Sequence, residues 1–217
     1  MRTIDLALAF SLISLPAIAA PAQVIDGDTL RIGETTYRLH GIDAPEAGQK
    51  CEKAGGGTWP CGKRATETMV ELVTGADVIC DDRGTDDYGR TLSVCSVDGR
   101  DLNAAMVEAG MAWAYRRFSD DYAAIEDRAH TAGIGIWQAP TETAWDYRAK
   151  RWAVAKQEAP DGCPIKGNIA RDGERIYHAP WSPWYSRTKL SPEKGERWFC
   201  TEGEALAAGW RAPMWGR

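Results

Sequence analysis

The stretch "VIDGDTLRIGETTYRLHGIDAPE", residues 24–46, carries the fold prediction, because apolar and polar side chains alternate along it and a glycine interrupts the alternation. Leu30 and Ile32 share one face of a predicted strand, and the Gly33–Glu34 pair supplies a turn before a return strand of the same period. The alternation therefore predicts an antiparallel hairpin with one apolar face.

The ends of this hairpin carry several carboxylates. Asp28 follows a flexible glycine, and Asp43 comes just after the return strand, so the two side chains can meet at one end of a small barrel. Their oxygens suit a hard cation such as calcium, and the backbone carbonyl of Ala44 can point at the same ion because Pro45 fixes the chain after it. Glu46 lies further along and is left free to act on water.

Two arginines complete the predicted site. Arg38 shares the acidic end of the hairpin, and Arg90 follows a glycine in the loop "DDRGTDDYGR". Forked guanidinium groups match the oxygens of a phosphodiester as it gains charge during hydrolysis. For Asp26 the residues leave two interpretations, a brace for the turn or a metal ligand, and we expect the brace.

Composition restricts the remaining possibilities. The chain has 217 residues, of which 44% are hydrophobic and 26% charged, which suits one domain with a sizeable core and a small appendage. The net charge of −5 argues against a protein that coats DNA non-specifically, although local arginines can still hold a phosphate.

The N-terminus predicts export. Residues 1–20 combine Arg2, a short apolar run and a small-residue end, which is the order of a secretory signal peptide, with a retained anchor as the alternative. We therefore expect a secreted or periplasmic protein with no stable membrane span once the signal is removed. An oxidising compartment also agrees with an even number of cysteines.

The six cysteines predict three disulfides. Sequence proximity favours the pairs Cys51–Cys61, Cys80–Cys95 and Cys163–Cys200, although six cysteines allow fifteen pairings. A zinc site is the weaker alternative, because no two cysteines are spaced as C-x₂-C. The first pair would close the glycine-rich loop after the hairpin, and the second would hold the base of the loop that carries the second arginine.

The order of elements predicts an α+β protein with a small antiparallel barrel, because strands come first and helices follow without a βαβ rhythm. We expect a barrel domain over residues 21–140, a helical linker over 141–160 and a small module over 161–217. The linker's tryptophans can pack inward or face single-stranded nucleic acid beside its basic residues, and we expect packing.

Three segments, "VIDGDTL", "YRLHGIDAPE" and "DDYGRTL", closely resemble the signature segments of the staphylococcal nuclease (thermonuclease) family. The resemblance covers about residues 23–137, including "NAAMVEAGMAWAY" and "GIGIW". It implies a five-stranded antiparallel OB-fold barrel with about three helices. The implied activity is a calcium-dependent phosphodiesterase that acts on DNA, RNA or both and leaves 3′-phosphorylated products. We expect a monomer that prefers single strands.

The resemblance also implies roles for individual residues. Asp28 and Asp43 match the metal carboxylates, Ala44 matches the position that lends a carbonyl, and Glu46 matches the proposed general base. A second set of matching positions would contact the phosphate or the nucleotide: Arg38, Arg90, Tyr88 and Tyr115. Two departures from the family pattern, Asp87 and Phe118, can weaken nucleotide binding but leave the metal, base and arginine positions intact.

The C-terminal part resembles a small module appended to some bacterial thermonuclease-like proteins, through "KGN", "YHAPWSPWY", "RWFC" and "EALAAGW". Its aromatic residues can form a core or bind glycan, peptidoglycan or nucleic acid, and we expect a core. Two other functions stay open from the sequence. The protein can be a catalytically silent OB-fold binder of single strands, or an envelope protein whose module binds polysaccharide.

Overall fold

The computed structural model describes residues 20–214. The predicted signal peptide, residues 1–20, therefore lies outside the described residues except for Ala20. Within residues 20–214, no helix is both long enough and apolar enough to cross a membrane.

The described chain contains thirteen strands and five α-helices. The strands are β1 (Gln23–Asp26), β2 (Thr29–Ile32), β3 (Thr35–Leu39), β4 (Ile42–Asp43), β5 (Cys51–Glu52), β6 (Thr58–Trp59), β7 (Val78–Thr85), β8 (Thr91–Val97), β9 (Arg100–Asp101), β10 (Trp113–Ala114), β11 (Ile165–Ile169), β12 (Arg175–His178) and β13 (Arg197–Phe199). The helices are α1 (Cys61–Val73), α2 (Leu102–Glu108), α3 (Ala123–Thr131), α4 (Ala144–Glu158) and α5 (Glu202–Ala207).

The main sheet has the strand order β1-β2-β3-β8-β7, with β9 paired to β8. The hairpin predicted from residues 24–46 is present as β2 and β3, in which Leu30 pairs with Tyr37. The pairing of β3 with β8 is parallel, so the prediction of a wholly antiparallel barrel is wrong at this pair. A parallel neighbour requires a long crossover, which α1 and β7 provide here. Among the described strands, β1 and β7 end this path and no pairing between them closes the sheet.

The helices are more numerous than the three expected for the barrel, because α4 and α5 follow it. Helix α1 buries Ala65, Met69 and Val73, as its apolar spacing predicts. Asp101 caps α2 by accepting a hydrogen bond of 3.0 Å from the backbone N–H of Ala104. Helix α3 begins at Ala123, after a stretch of chain that forms turns.

The core of the first domain lies between the main sheet and helices α1 and α2. It is formed by fully buried aliphatic and thioether side chains of the hairpin, of β4 and of the two helices. They include Leu30, Leu39, Ile42, Met69, Leu102 and Met106. The short pair of β4 and β10 aligns Asp43 with Trp113, and this pairing places an acidic residue inside the domain.

The C-terminal part has its own three-stranded sheet, with β11 between β12 and β13, and α5 packs against it. Its core contains the aromatic side chains of Tyr177, Phe199 and Trp210, which confirms that several of its aromatic residues are structural. Trp181 remains partly exposed. The disulfides Cys51–Cys61, Cys80–Cys95 and Cys163–Cys200 are all formed.

Candidate active site

The turn between β1 and β2 places Asp28 inside the domain. Asp26 accepts a hydrogen bond of 3.1 Å from the backbone N–H of Asp28, which is the bracing role predicted for it. A side chain at Gly27 would lie 2.7 Å from the Cβ of Ala44, so only glycine lets this turn approach the chain after β4 so closely. The backbone N–H of Ala44 donates a 2.6 Å bond to Oδ2 of Asp28.

Arg38 joins the two aspartates. From β3, its Nη1 binds Oδ1 of Asp28, and its Nη2 donates a 2.7 Å hydrogen bond to Oδ1 of Asp43. Asp28 and Asp43 are both almost fully buried. The three residues come from the adjacent strand ends of β2, β3 and β4, so the hairpin brings the predicted metal carboxylates and one predicted phosphate ligand to the same place.

Glu46 lies beside this cluster on the loop after β4, and two contacts hold its backbone. Its N–H donates to the side-chain oxygen of Gln49 over 3.2 Å. The first turn of α1 packs so tightly against it that a side chain at Gly62 would come within 1.6 Å of the Glu46 carbonyl oxygen. The neighbouring Cys51–Cys61 disulfide fixes the start of α1 to the same loop.

Arg148 is the residue of this cluster that sequence reasoning missed. It was expected among the solvated basic residues of the linker helix, yet its side chain is only 23% exposed. Its Nη2 donates a 2.6 Å bond to Oδ2 of Asp43, and its Nη1 donates to Oδ1 of Asp43 at 3.0 Å and to Oε1 of Glu46 at 2.7 Å. No local pattern in the sequence signals a contact between residues 105 positions apart.

The electrostatics of the cluster follow from burial and from the two guanidinium groups. Burial raises the pKa of Asp28 to about 8, against the opposing effect of Arg38. Burial also raises the pKa of Glu46 to about 7, although Arg148 favours its charged form. Burial acts on Asp43 in the same sense, but Arg38 and Arg148 outweigh it and lower its pKa. Asp43 is thus the carboxylate held most firmly in its charged form.

Arg90 belongs to a separate part of the site, the loop between β7 and β8. Asp86 organises this loop by accepting bonds from the backbone N–H groups of Tyr88 and Arg90, both 2.9 Å long. The Arg90 side chain in turn donates a 2.7 Å bond from Nε to Oδ2 of Asp86 and lies 5.2 Å from the centre of the Tyr88 ring. It has no contact with the buried carboxylates.

A cleft of about 1240 Å³ connects the two parts. Its lining includes all of the predicted substrate-contacting side chains: Arg38, Glu46, Tyr88, Arg90 and Tyr115. One face of Tyr115 is covered by Trp145, with 5.4 Å between ring centres, which confirms the packing role expected for that tryptophan. Arg148 and Trp152 of α4 and Trp181 of the C-terminal part also line this cleft.

The donor set suits a hard cation in its chemistry. Asp28 and Asp43 offer buried carboxylate oxygens within reach of a single guanidinium, and carboxylate oxygens are a ligand type that calcium prefers. Residues 20–214 contain no group of three or more His, Cys, Asp or Glu side chains arranged to hold a metal. Any cation here would therefore depend on two carboxylates, backbone oxygens and water.

An α+β domain with buried carboxylates next to guanidinium groups that line a cleft has the side chains expected of a protein that acts on phosphate esters. Comparison with known proteins specifies the family. The family model of the staphylococcal nuclease homologues matches residues 36–139, and a second model, ArfC, matches residues 147–212. The chain belongs to the staphylococcal nuclease family and is a nuclease, a hydrolase of phosphodiester bonds.

Individual relatives align with a longer part of the chain than the staphylococcal nuclease model does. The chain is 35% identical over 160 residues to the succinoglycan biosynthesis protein ExoI of Rhizobium meliloti, covering 69% of this chain and 83% of the relative. It is 34% identical to protein ParB of Escherichia coli, covering 65% and 87%. It is 30% identical to a micrococcal nuclease of Shigella flexneri, covering 63% and 86%.

Proposed function

We propose that this nuclease is calcium-dependent and cleaves single-stranded DNA or RNA in the cleft that contains Arg38 and Arg90. The observation that carries the proposal is the Arg38 guanidinium, which binds both Asp28 and Asp43 beside the buried Glu46. Strand geometry thus gathers two buried carboxylates, a candidate base and a candidate phosphate-binding arginine, and the base and the arginine line the open cleft.

Asp28, Asp43 and the carbonyl of Ala44 would hold the calcium ion. When bound, calcium supplies charge that polarises the scissile phosphate. The donor set is all oxygen, as calcium requires. The raised pKa of Asp28, caused mainly by burial, would be reversed by a divalent cation next to its carboxylate, since a bound cation favours the charged form.

Glu46 would act as the general base. Its carboxylate takes a proton from a water molecule, and that water attacks the phosphorus while the bond to the 5′ oxygen breaks. The departing 5′ oxygen takes up a proton from solvent, so the products are a 3′-phosphate and a free 5′-hydroxyl, as the family resemblance implies. Burial raises the pKa of Glu46 to about 7, which places it near the value that suits a base working at neutral pH.

Arg38 and Arg90 would bind the phosphate oxygens that gain charge in the transition state. Arg38 already lies at the carboxylates, whereas Arg90 approaches from the β7–β8 loop. Tyr88 and Tyr115 would contact the nucleotide from the same cleft. The exposed Tyr88 ring and the partly exposed Trp152 and Trp181 offer aromatic surface to unpaired bases, which supports a preference for single strands.

The remaining proposals concern location and organisation. Three disulfides support export to an oxidising compartment, whether the periplasm or the medium.

The strand order with one parallel pair supports an OB-fold barrel for residues 21–140. The linker over 141–160 and the module over 161–217 agree with the positions of α4 and the second sheet. We propose a monomer as the working unit.

The decisive experiment measures cleavage of a single-stranded oligonucleotide by the purified chain. Activity with calcium should disappear in EGTA and return with added calcium, and Glu46→Gln should reduce kcat by about 10²- to 10⁴-fold. Glu52→Gln, which changes an exposed glutamate in the nearby strand β5, is the matched control and should stay at the wild-type rate. Activity that survives EGTA without another metal contradicts the calcium assignment, and full activity of Glu46→Gln contradicts the base assignment.

A further inference from the structure

Arg148 lies outside the residues that match the nuclease family model and within those that match the ArfC model. It comes from α4, yet it reaches the carboxylates that β4 and the following loop present. Both oxygens of Asp43 accept hydrogen bonds from its guanidinium, and Oε1 of Glu46 accepts a third. A side chain contributed from beyond the nuclease domain therefore occupies the centre of the candidate active site.

Specific hydrogen bonds at the start of α4 fix the position of Arg148. Thr143 caps α4 by accepting a bond from the N–H of Asp146. Gln49, which already accepts a bond from the backbone of Glu46, donates a 2.7 Å bond to the carbonyl of Glu142 immediately before the helix. The same loop thus holds both the Glu46 backbone and the start of the helix that carries Arg148.

The contact has a direct consequence for cation binding. Oδ2 of Asp43 accepts from Arg148, and Oδ1 accepts from both Arg38 and Arg148. A divalent cation needs lone pairs of the same carboxylate, so the cation and the Arg148 guanidinium compete for Asp43. The bond from Nη1 to Glu46 involves a different carboxylate, and it can persist after Asp43 is released.

We propose that Arg148 is a positioning residue of the nuclease site that yields Asp43 to the metal ion and keeps hold of Glu46. This inference rests on the calcium site and the base assigned under the proposed function. Removing Arg148 should therefore raise the affinity for calcium and lower the turnover rate. Calcium binds more tightly because its competitor is gone, and turnover falls because the Glu46 carboxylate is no longer aligned. A purely structural role would weaken both.

The test compares the full-length wild type with Arg148→Met and with Arg151→Met, a matched change of an exposed arginine on the same helix. Calcium affinity is measured by isothermal titration calorimetry, and kcat on a single-stranded oligonucleotide at saturating calcium. Arg148→Met should bind calcium about tenfold more tightly, since a nearby positive charge is removed. Its kcat should fall about 10²-fold, the usual cost of a misaligned catalytic group. Arg151→Met should match the wild type in both.

A second variant keeps the inference testable if Arg148→Met does not fold. Arg148→Lys retains the positive charge but lacks the planar guanidinium that binds Asp43 and Glu46 together. Its calcium affinity should therefore lie between those of the wild type and Arg148→Met, and its kcat should be reduced. Calcium affinity that is unchanged or weaker in the folded variants overturns the inference while leaving the proposed function intact. A wild type that cleaves DNA without binding calcium overturns the calcium assignment and this inference together.

Discussion

Two arginines face the same cleft, and their surroundings differ in nearly every respect. Arg38 lies on a strand of the main sheet, and its guanidinium is enclosed by two buried aspartates. Arg90 lies on a loop, and its charge is paired with Asp86 four residues earlier in the chain. The first arginine is held by tertiary structure, and the second by the local geometry of its own loop.

Because their surroundings differ, Arg38 and Arg90 should contribute differently to stability and to catalysis. Removing a partner from a fully buried ion pair leaves an uncompensated charge and is costly, whereas the partly exposed pair of Arg90 and Asp86 can be compensated by water. Arg38 should therefore matter for both stability and activity, while Arg90 should matter for activity with a smaller effect on stability. The four predictions that follow test this division, beginning with the largest expected effect.

Arg38→Met should have the greatest effect on folding. Asp28 and Asp43 would lose the guanidinium that bridges them, and the free energy of unfolding should fall by about 3 to 5 kcal/mol. Urea denaturation followed by tryptophan fluorescence measures the change. Arg31→Met is the control, because Arg31 pairs with the exposed Glu34. A loss below that of the control would show that the buried cluster does not stabilise the fold.

Arg90→Met should affect turnover rather than folding. Loss of one transition-state donor should lower kcat/KM by about 10²- to 10³-fold. The free energy of unfolding should fall by less than in Arg38→Met, because Arg90 pairs with one partly exposed carboxylate of its own loop rather than with two fully buried ones. Arg83→Met, an exposed arginine of the same hairpin, should leave both quantities unchanged. Equal losses of stability in Arg90→Met and Arg38→Met would remove the distinction between the two arginines.

The Cys80–Cys95 disulfide joins β7 to β8 at the base of the Arg90 loop. Replacing both cysteines with alanine should cost about 3 kcal/mol of stability by the chain-entropy estimate for a loop of this length. Excess dithiothreitol should reduce turnover of the wild type before the main sheet unfolds. Activity and circular dichroism measured on the same samples would show whether turnover falls before the main sheet unfolds. Unchanged turnover with free thiols confirmed would show that the disulfide does not position the loop.

Asp86→Asn should produce the smallest effect. The change removes the charge that holds the Arg90 side chain but keeps an oxygen for the backbone N–H groups of the loop. Since the change weakens one hydrogen bond to the Arg90 side chain, at a cost of about 1 kcal/mol, kcat/KM should fall by about fivefold. Asp82→Asn on the same hairpin is the control. A loss as large as that of Arg90→Met would make Asp86 part of the catalytic machinery.

The sequence by itself determined the parts of the site that are close along the chain. Alternation over residues 24–46 predicted the hairpin, and turn chemistry predicted the brace at Asp26, because both signals depend only on neighbouring residues. The three cysteine pairs, favoured by sequence proximity, were also predicted correctly. The open path of the sheet and its parallel pair were not, since strand order depends on the crossover through α1 and β7.

Only the tertiary structure decided the role of Arg148. In the sequence it is one of several basic residues on the linker helix, and nothing nearby distinguishes it from Arg151. Its contacts with Asp43 and Glu46 span more than a hundred positions and exist because Gln49 and Trp145 dock α4 onto the nuclease domain. Local sequence patterns predict strand periodicity and turns, whereas the partner of a buried charge depends on how the whole chain packs.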